Sequence, residues 1–291
     1  MKIERVKTLS PLERFLYWIK ERHEIYLKRQ RGDPKPWTDD EVLQRWFFTN
    51  PYRENDRTTV WFREKVRDPL QNNAKVFFAT VCFRWFNLIE TGEALLEKKL
   101  LTNWDRRKAR SALRKQKKTF TGAFMIPAVP GTKKTEHVFN CLVPFWQNRD
   151  KLCGEIWRGR SLREAHALLV KFPYMGDFMA YEVVTDLRWT YLLRKAKDIM
   201  TWANPGPGCR RGLRRLLGLP LRGKAAAGEP PVPDEQEQMQ GLLDIATAKL
   251  VVKERMPKLE MREMEHSLCE WDKYERARLK QGSMKRTYQG V

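Results

Sequence analysis

Apolar residues recur at intervals of three and four along most of the chain, which is the spacing that places them on one face of a helix. The strongest run lies at 74–89 and includes Phe77, Val81 and Trp85. This run predicts a helix at the centre of the core. The pattern as a whole predicts a mainly α-helical fold.

Helix starts are marked by capping patterns, in which Ser or Thr is followed three residues later by Glu. Each instance predicts the start of a helix: Ser10 with Glu13, Thr38 with Glu41, and Ser161 with Glu164. Pro11 strengthens the first of these, because proline is favoured at the first helical position. The helix after Ser161 is expected to run to Lys171.

The stretch 119–145 differs from the rest of the chain, because its composition is typical of β-strands rather than helices. Residues 119–145 contain two runs with β-like composition, at 120–126 and 138–143. They predict a small β-like arm, as a hairpin or an irregular segment, on the helical body.

The stretch 219–233 holds six Pro or Gly residues and almost no bulky apolar residue. This composition predicts a flexible linker. We therefore expect a helical core at 1–218. The segment 234–291 is expected to form C-terminal helices, divided at Pro257, that pack back on this core.

The charge balance predicts a polyanionic partner, either nucleic acid or an anionic membrane face. The 291 residues include 57 Lys and Arg against 36 Asp and Glu, a formal net charge of +21. No apolar run approaches the length of about 18 residues that a membrane span needs. The N-terminus has no signal-peptide core. We therefore expect a cytoplasmic protein that binds nucleic acid and no membrane.

The cysteine and motif inventory excludes several classes of enzyme. The five cysteines are scattered and never form a CxxC pair, which predicts reduced thiols rather than disulfides or a zinc site. HExxH, the EF-hand loop and the Walker A loop are absent. Common metal hydrolases and P-loop kinases are thus excluded, and no cofactor is predicted.

Two basic clusters are the predicted contacts to a phosphate backbone. Segment 105–118 carries eight basic residues in fourteen, and helical spacing places Arg106, Arg110 and Arg114 on one face. The second cluster, at 209–215, begins with Arg210 and Arg211. The alternative is that both clusters are solvated basic faces.

The run from Phe172 to Gly176 lies between two amphipathic helices and matches the spacing of the turn in a helix-hairpin-helix motif. The whole motif, with its two helices, would span about 162–188. Such a turn presents backbone N–H groups to a DNA phosphate, so Tyr174 and Gly176 are candidate DNA-binding residues. Tyr174 replaces the usual first glycine, and a plain helix–turn–helix corner is the alternative.

A second glycine-containing turn precedes the second basic cluster. Gly206 and Gly208 flank Pro207 and are candidates for a further turn that binds phosphate. The alternative is a structural helix C-cap followed by a basic helix.

The hairpin spacing resembles that of helix-hairpin-helix DNA glycosylases, which implies a glycosylase-like helical fold. In those enzymes a catalytic Asp follows the hairpin, and Asp198 stands in nearly that place. Phe178 occupies the position of the lyase-type Lys, so strand cleavage through a Schiff base is disfavoured.

Longer strings carry a more specific resemblance. These are GxPxPWTDD from Gly32 to Asp40, FxNxxRExDRxT from Phe48 to Thr59, and three further blocks at 172–189, 202–213 and 266–282. Together they resemble phage thymine-hypermodification proteins. That family includes the α-glutamyl and putrescinyl thymine pyrophosphorylases and the helical domain attached to 5-hydroxymethyluracil DNA kinases. The resemblance covers most of the chain apart from 219–233.

The resemblance implies a transferase that acts on double-stranded phage DNA in the host cytoplasm. Such an enzyme replaces the pyrophosphate on pyrophosphorylated 5-hydroxymethyluracil with an amine, supplied by an amino acid or a polyamine. Two alternatives stay open. One is a non-catalytic recognition domain that partners a 5-hydroxymethyluracil DNA kinase, and the other is a monofunctional glycosylase that uses Asp198.

The reaction implied by the family suggests roles for charged residues. On a helix, Arg53 and Arg57 would share a face and hold the pyrophosphate. A Mg²⁺ ion bound to the pyrophosphate is compatible with this arrangement but is not required by it. Glu54 or Asp56 would act as the general base. The alternative is a structural ion-pair network. The candidate catalytic residues are Arg53, Glu54, Asp56, Arg57, Asp186, Asp198 and Lys273. For Asp186 and Lys273 the sequence alone favours solvated helix pairing, and the resemblance is what adds them to the candidates.

Overall fold

The computed structural model describes residues 6, 8–124, 126–127, 129–221, 231–282 and 287. The chain forms two compact units, the first from Met1–Asp56 with Met200–Val291 and the second from Arg57–Ile199. Both are helical, and the only β pairing among the described residues is an isolated bridge between Trp46 and Thr287. The prediction of a mainly α fold is confirmed.

The first unit opens with α1 (Pro11–Arg31), α2 (Glu41–Arg45) and a 3₁₀ turn (Arg53–Asn55). The second unit contains α3 (Arg57–Phe62), a π-helical turn (Arg63–Arg67), α4 (Asp68–Leu70), α5 (Lys75–Phe86), α6 (Ile89–Glu97), α7 (Arg106–Leu113), α8 (Lys134–Gln147), α9 (Arg149–Gly159), α10 (Leu162–Leu169) and α11 (Asp177–Leu187). The first unit resumes with α12 (Pro207–Leu216), α13 (Glu235–Ala246), a π-helical turn (Thr247–Val252) and α14 (Met261–Arg278).

Helix α5 forms the core of the second unit. All its residues after Lys75 are buried, and it packs against α8 and α11. Phe83 of α5 stacks on Phe62 at 4.7 Å between ring centroids. The central helix predicted at 74–89 is confirmed over 75–86, because its apolar residues are dense enough to be buried all round. It ends at Asn87, whose φ of 45° is left-handed, and Ile89 begins α6 instead.

The prediction of a β-like arm was wrong. The run at 138–143 lies within α8, and its apolar residues Val138, Phe139 and Leu142 are buried together with Phe145. These positions repeat every three to four residues, so they form one helical stripe despite their β-prone composition. Before α8, Phe120 stacks on Phe86 at 5.2 Å, and the described residues of the run at 120–126 form no strand.

The predicted helix starts hold with one correction. Ser10 and Glu13 form a full capping box, and the Ser161 side chain caps α10, which ends at Leu169 rather than Lys171. At α2 the cap is Asp40 instead of Thr38, since its Oδ1 accepts the N–H groups at 42 and 43. The buried Asp40 also accepts the hydroxyls of Tyr17 and Tyr274, which attaches α2 to α1 and α14.

Glycines bring α12 unusually close to α14 in the first unit. A Cβ atom on Gly212 would clash with the backbone carbonyl of Leu268, and one on Gly208 would clash with the thiol of Cys269. The two glycines lie four residues apart on one face of α12. Gly208 therefore has a packing role whatever else it does.

The centre of the predicted linker, 222–230, lies outside the described residues. The division at 219–233 into a core and C-terminal helices stays a prediction. No described helix has the length and apolar character that a membrane crossing requires.

Candidate active site

In the first unit, the segment between α2 and the 3₁₀ turn lies along α14. The Thr49 backbone N–H donates to Glu270 at 2.9 Å, and the Thr49 hydroxyl lies 2.8 Å from His266 Nε2. Lys273 Nζ donates to the carbonyl oxygen of Phe47. These bonds hold the segment against one face of α14, where residues 266, 270 and 273 are spaced by helical turns.

We call the resulting group the acid–base cluster; its members are Arg53, Asp56, Glu265, His266, Glu270 and Lys273. Arg53 is its central cation, because it interacts electrostatically with Asp56, Glu265 and His266. All six side chains belong to partly exposed residues. A group of interacting titratable residues that solvent can still reach is typical of functional sites.

Asp56 is held in place by Asn50. The Asn50 backbone N–H and side-chain Nδ2 both donate to Asp56 Oδ1, at 3.1 and 2.9 Å. Within the part of the chain that the structure describes, Asp56 Oδ2 accepts no hydrogen bond. Burial raises the pKa of Asp56 to about 6, against the opposing effects of the Asn50 N–H and Arg53.

Glu265 is a second carboxyl group with a raised pKa. Burial raises the pKa of Glu265 to about 7, and the Gly206 N–H and Arg53 oppose that rise. Gly206 is the N-cap of α12, with φ −76° and ψ 173°, rather than the helix C-cap of the alternative interpretation. The backbone N–H at this turn therefore serves a carboxylate of the chain itself.

The pKa values of His266 and Glu270 are lowered, whereas those of Asp56 and Glu265 are raised. Burial lowers the pKa of His266 to about 4, so its imidazole is neutral at physiological pH. For Glu270, burial is outweighed by Lys273, His266 and the Thr49 N–H, which lower its pKa. The cluster thus contains one firmly ionised carboxylate and two that exchange protons near neutral pH.

Four predicted catalytic residues lie in this region. Arg53, Asp56 and Lys273 belong to the cluster, and Glu54 is paired with Arg262 at 3.4 Å. Arg57 differs, because the 3₁₀ turn ends at Asn55 and the next residue, Asp56, is extended, with φ −77° and ψ 135°. The helix that was to place Arg53 and Arg57 on one face is therefore not formed, and Arg57 is the exposed first residue of α3.

Asp186 lies in the second unit, in a buried ion pair instead of the solvated helix pairing of the alternative interpretation. Its Oδ1 accepts from Arg84 Nη2 at 2.8 Å, its Oδ2 accepts from Arg84 Nε, and Arg67 approaches to 3.8 Å. Asp186 and Arg84 are each about 1% exposed. This bidentate geometry fixes α11 to α5.

Asp198 caps a helix. Its carboxylate accepts the Ser161 hydroxyl at 2.7 Å and the backbone N–H groups of Leu162 and Arg163 at 2.8 and 3.0 Å. A carboxylate at a helix N-terminus is stabilised there by the helix dipole. Both oxygens are thus engaged at the start of α10.

The first basic cluster forms α7, with Ala109 and Leu113 buried beneath it. Arg106 and Arg110 both pair with Glu136, at 2.8 and 2.6 Å, and their hydrogen bonds lower the pKa of Glu136 to about 2. Arg114 is exposed at the end of the helix. The predicted basic face exists, but Glu136 neutralises part of it.

Alanine at Arg107 and Arg114, both exposed on α7, is expected to reduce the salt dependence of DNA binding. For every phosphate that the variant no longer binds, the slope of log affinity against log salt should fall by about 1, without a change in base preference. Fluorescence anisotropy from 50 to 200 mM salt measures this slope. Lys98→Ala, which removes an exposed cation paired with Glu97, is the control. An unchanged slope in the α7 variant would remove this helix from the interface.

The second basic cluster is engaged inside the first unit. Arg210 pairs bidentately with Glu235 at 2.9 and 3.1 Å, and Arg211 is buried beside Asp272 at 3.4 Å. Arg215 also bonds to Asp272, at 2.7 Å. These guanidinium groups hold α12 to α13 and α14, and their contact with phosphate stays a prediction.

The predicted hairpin is a turn between α10 and α11 that exposes Tyr174 and Gly176. Tyr174 has φ 62°, in the left-handed region that favours glycine. Its ring contacts that of His137 on α8, with centroids 4.5 Å apart. A helix–turn–helix is thus present, while its assignment as a helix-hairpin-helix stays a prediction.

Three residues of this site were not predicted from the sequence: Asn50, Glu265 and His266. Asn50 stands within the FxNxxRExDRxT string and could have been recognised there. His266 shares a helical face with Glu270 and Lys273, at spacings of four and seven residues. For Glu265 no sequence signal marks the approach of Gly206. Among the described residues, no group of three or more His, Cys, Asp or Glu side chains is arranged to hold a metal ion.

Comparison with known proteins places this chain among relatives of a DNA-modifying enzyme. The 5-hmdU DNA kinase of Bacillus phage SP10 is 28% identical over 228 residues, which covers 69% of this chain and 36% of that protein. No solved structure matches significantly. The family model described as "5-hmdU DNA kinase, helical domain" matches residues 10–284. With nearly its whole length matched, the chain belongs to the family of the 5-hmdU DNA kinase helical domain, as its sequence motifs predicted.

Proposed function

We propose that this chain is a transferase on hypermodified thymine in phage DNA. It replaces the pyrophosphate of pyrophosphorylated 5-hydroxymethyluracil with an amine, drawn from an amino acid or a polyamine. The proposal rests on the environment of Asp56. Its carboxylate has a pKa of about 6, accepts a hydrogen bond from Asn50 and interacts electrostatically with Arg53. A general base works best when its pKa lies near the operating pH.

In the proposed reaction, the amine nitrogen bonds to the methylene carbon on C5 of the base. The bond between that carbon and the pyrophosphate oxygen breaks, and the electron pair leaves with the pyrophosphate. Asp56 accepts the proton that the amine loses. Arg53 and Lys273 supply positive charge for the leaving group, where negative charge develops in the transition state.

Glu265 and His266 fit the same chemistry. A carboxyl group with a pKa of about 7 can exchange a proton near neutral pH, while a neutral imidazole adds no charge that would repel an incoming cation. The leaving pyrophosphate is a ligand that Mg²⁺ commonly accompanies.

A recognition domain that presents 5-hydroxymethyluracil DNA to a kinase is the second candidate. The match of residues 10–284 to a kinase-associated helical domain favours it. The matched part of this chain covers 36% of the SP10 kinase, so the activity of that whole protein is not assigned to this chain. The glycosylase alternative is weaker, since the capping bonds of Asp198 use both of its oxygens.

The test is mass spectrometry of the nucleosides released from pyrophosphorylated 5-hydroxymethyluracil DNA after incubation with the protein and a pool of amino acids and polyamines. We expect an aminated thymine derivative. DNA that carries unpyrophosphorylated 5-hydroxymethyluracil is the matched control and should remain unchanged. Binding without any new nucleoside would favour the recognition domain, and release of free base would favour the glycosylase.

A further inference from the structure

Two aromatic side chains protrude at the turn between α10 and α11. Tyr174 is 54% exposed and Phe178, in the first turn of α11, is 55% exposed. Each contacts one aromatic ring edge-on: Tyr174 contacts His137 at 4.5 Å, and Phe178 contacts Phe124 at 4.9 Å. The supporting rings orient the pair while leaving about half of each surface open. Exposed aromatic rings of this kind are typical of binding surfaces.

The backbone at Tyr174 would be easier to form with glycine. Its φ of 62° is unfavourable for a bulky side chain, and positive φ is uncommon for residues other than Gly, Asn and Asp. Strained residues of this kind cluster at functional sites. Lys99 and Arg160 also have positive φ, so what distinguishes Tyr174 among these residues is its exposed aromatic ring.

Helix α8 links these rings to basic side chains within the second unit. His137, which supports Tyr174, follows Glu136, and Glu136 holds Arg106 and Arg110 of α7. Helix α8 thus connects the aromatic pair with the first basic cluster. Phosphate contacts beside aromatic rings are the combination that binds nucleic acid strands with unstacked bases.

We propose that Tyr174 and Phe178 form a stacking platform for an unstacked base in DNA. Its occupant is a nucleic acid strand rather than an apolar protein surface, because the basic helix α7 adjoins the rings through α8. The inference rests on the DNA-binding part of the proposed function and adds the atoms that contact a base. Insertion of apolar side chains between base steps opens a duplex, which an enzyme acting on an extruded base requires.

The experiment measures affinity for a duplex with a mismatched or abasic position, by anisotropy at several salt concentrations. Tyr174→Gly and Phe178→Ser should each weaken binding about tenfold at every salt concentration, since stacking depends little on counterions. The slope against salt should stay at its wild-type value, in contrast to the α7 variant. Tyr174→Phe keeps the stacking face and should bind like wild type.

Two further readouts separate this inference from folding and from the transfer reaction. Tyr174→Gly relieves the left-handed strain, so its melting temperature should not fall below that of the wild type. A 2-aminopurine at the opened position should report ring stacking in wild-type complexes and lose that signal in Tyr174→Gly. Wild-type affinity in both aromatic variants would overturn the platform, yet would leave the transferase proposal to be decided by its own nucleoside assay.

Discussion

Asp56→Asn is expected to lower the rate of single-turnover amine transfer about 100- to 10,000-fold, the range for loss of a general base. Asparagine keeps the shape of the side chain but cannot accept the proton from the amine. In the wild type the rate should rise with pH through about 6, where Asp56 ionises, and level off above it. The variant should lack this step. Rapid-quench assays from pH 5 to 8 measure both effects.

Folding defects would not explain this loss. The folded protein raises the pKa of Asp56 from its ordinary 3.8, so folding favours the protonated form. This contribution to stability is complete below the ordinary pKa and is lost as pH rises through about 6. Asn at position 56 does not ionise, so at pH 8 the variant should be at least as stable as the wild type.

Glu54→Gln is the matched control, because it neutralises the nearby carboxylate that pairs with Arg262. We expect a moderate loss of stability and nearly normal transfer per folded molecule. Normal transfer by Asp56→Asn would contradict its role as the base. Glu265, with its pKa of about 7, would then be the residue to test next.

The helical fold was predictable because its signals are local. Helix α5 follows from apolar spacing within a dozen residues, and the capping box of Ser10 follows from two side chains three residues apart. The prediction of a β-like arm was wrong because the residue composition was given more weight than the spacing of the apolar residues. Val138, Phe139 and Leu142 are β-prone residues one by one, but their spacing is helical, and burial of that stripe decided the structure.

The candidate site was predictable only in part, because its contacts join distant parts of the chain. Arg53 and Asp56 stand together in one motif, whereas the bonds that attach this segment to α14 connect residues more than 200 positions apart, as Thr49 and His266 do. The error at Arg57 has a different cause. Helical spacing was assumed across Asp56, whose extended backbone interrupts the helix.

Asp186 shows how a carboxylate in a structural ion pair can be distinguished from a candidate catalytic base such as Asp56. Its carboxylate is almost fully buried against Arg84, while Asp56 keeps one oxygen without a hydrogen bond among the described residues. A base must exchange its proton with substrate or solvent, which the Asp56 geometry allows. In Asp186 the bidentate guanidinium of Arg84 instead engages both carboxylate oxygens and attaches α11 to α5.

Asp186→Ala is accordingly expected to lower the free energy of unfolding by about 3–5 kcal/mol, since it leaves Arg84 as a buried charge without its main partner. Urea denaturation followed by circular dichroism measures the change. Glu97→Gln, which breaks an exposed pair with Lys98 in the same unit, should leave the free energy of unfolding nearly unchanged. Asp186→Leu combined with Arg84→Met should cost less than the two single changes added together, because neither charge then remains buried alone. A fully stable Asp186→Ala protein with abolished transfer would contradict the structural role and return Asp186 to the catalytic candidates.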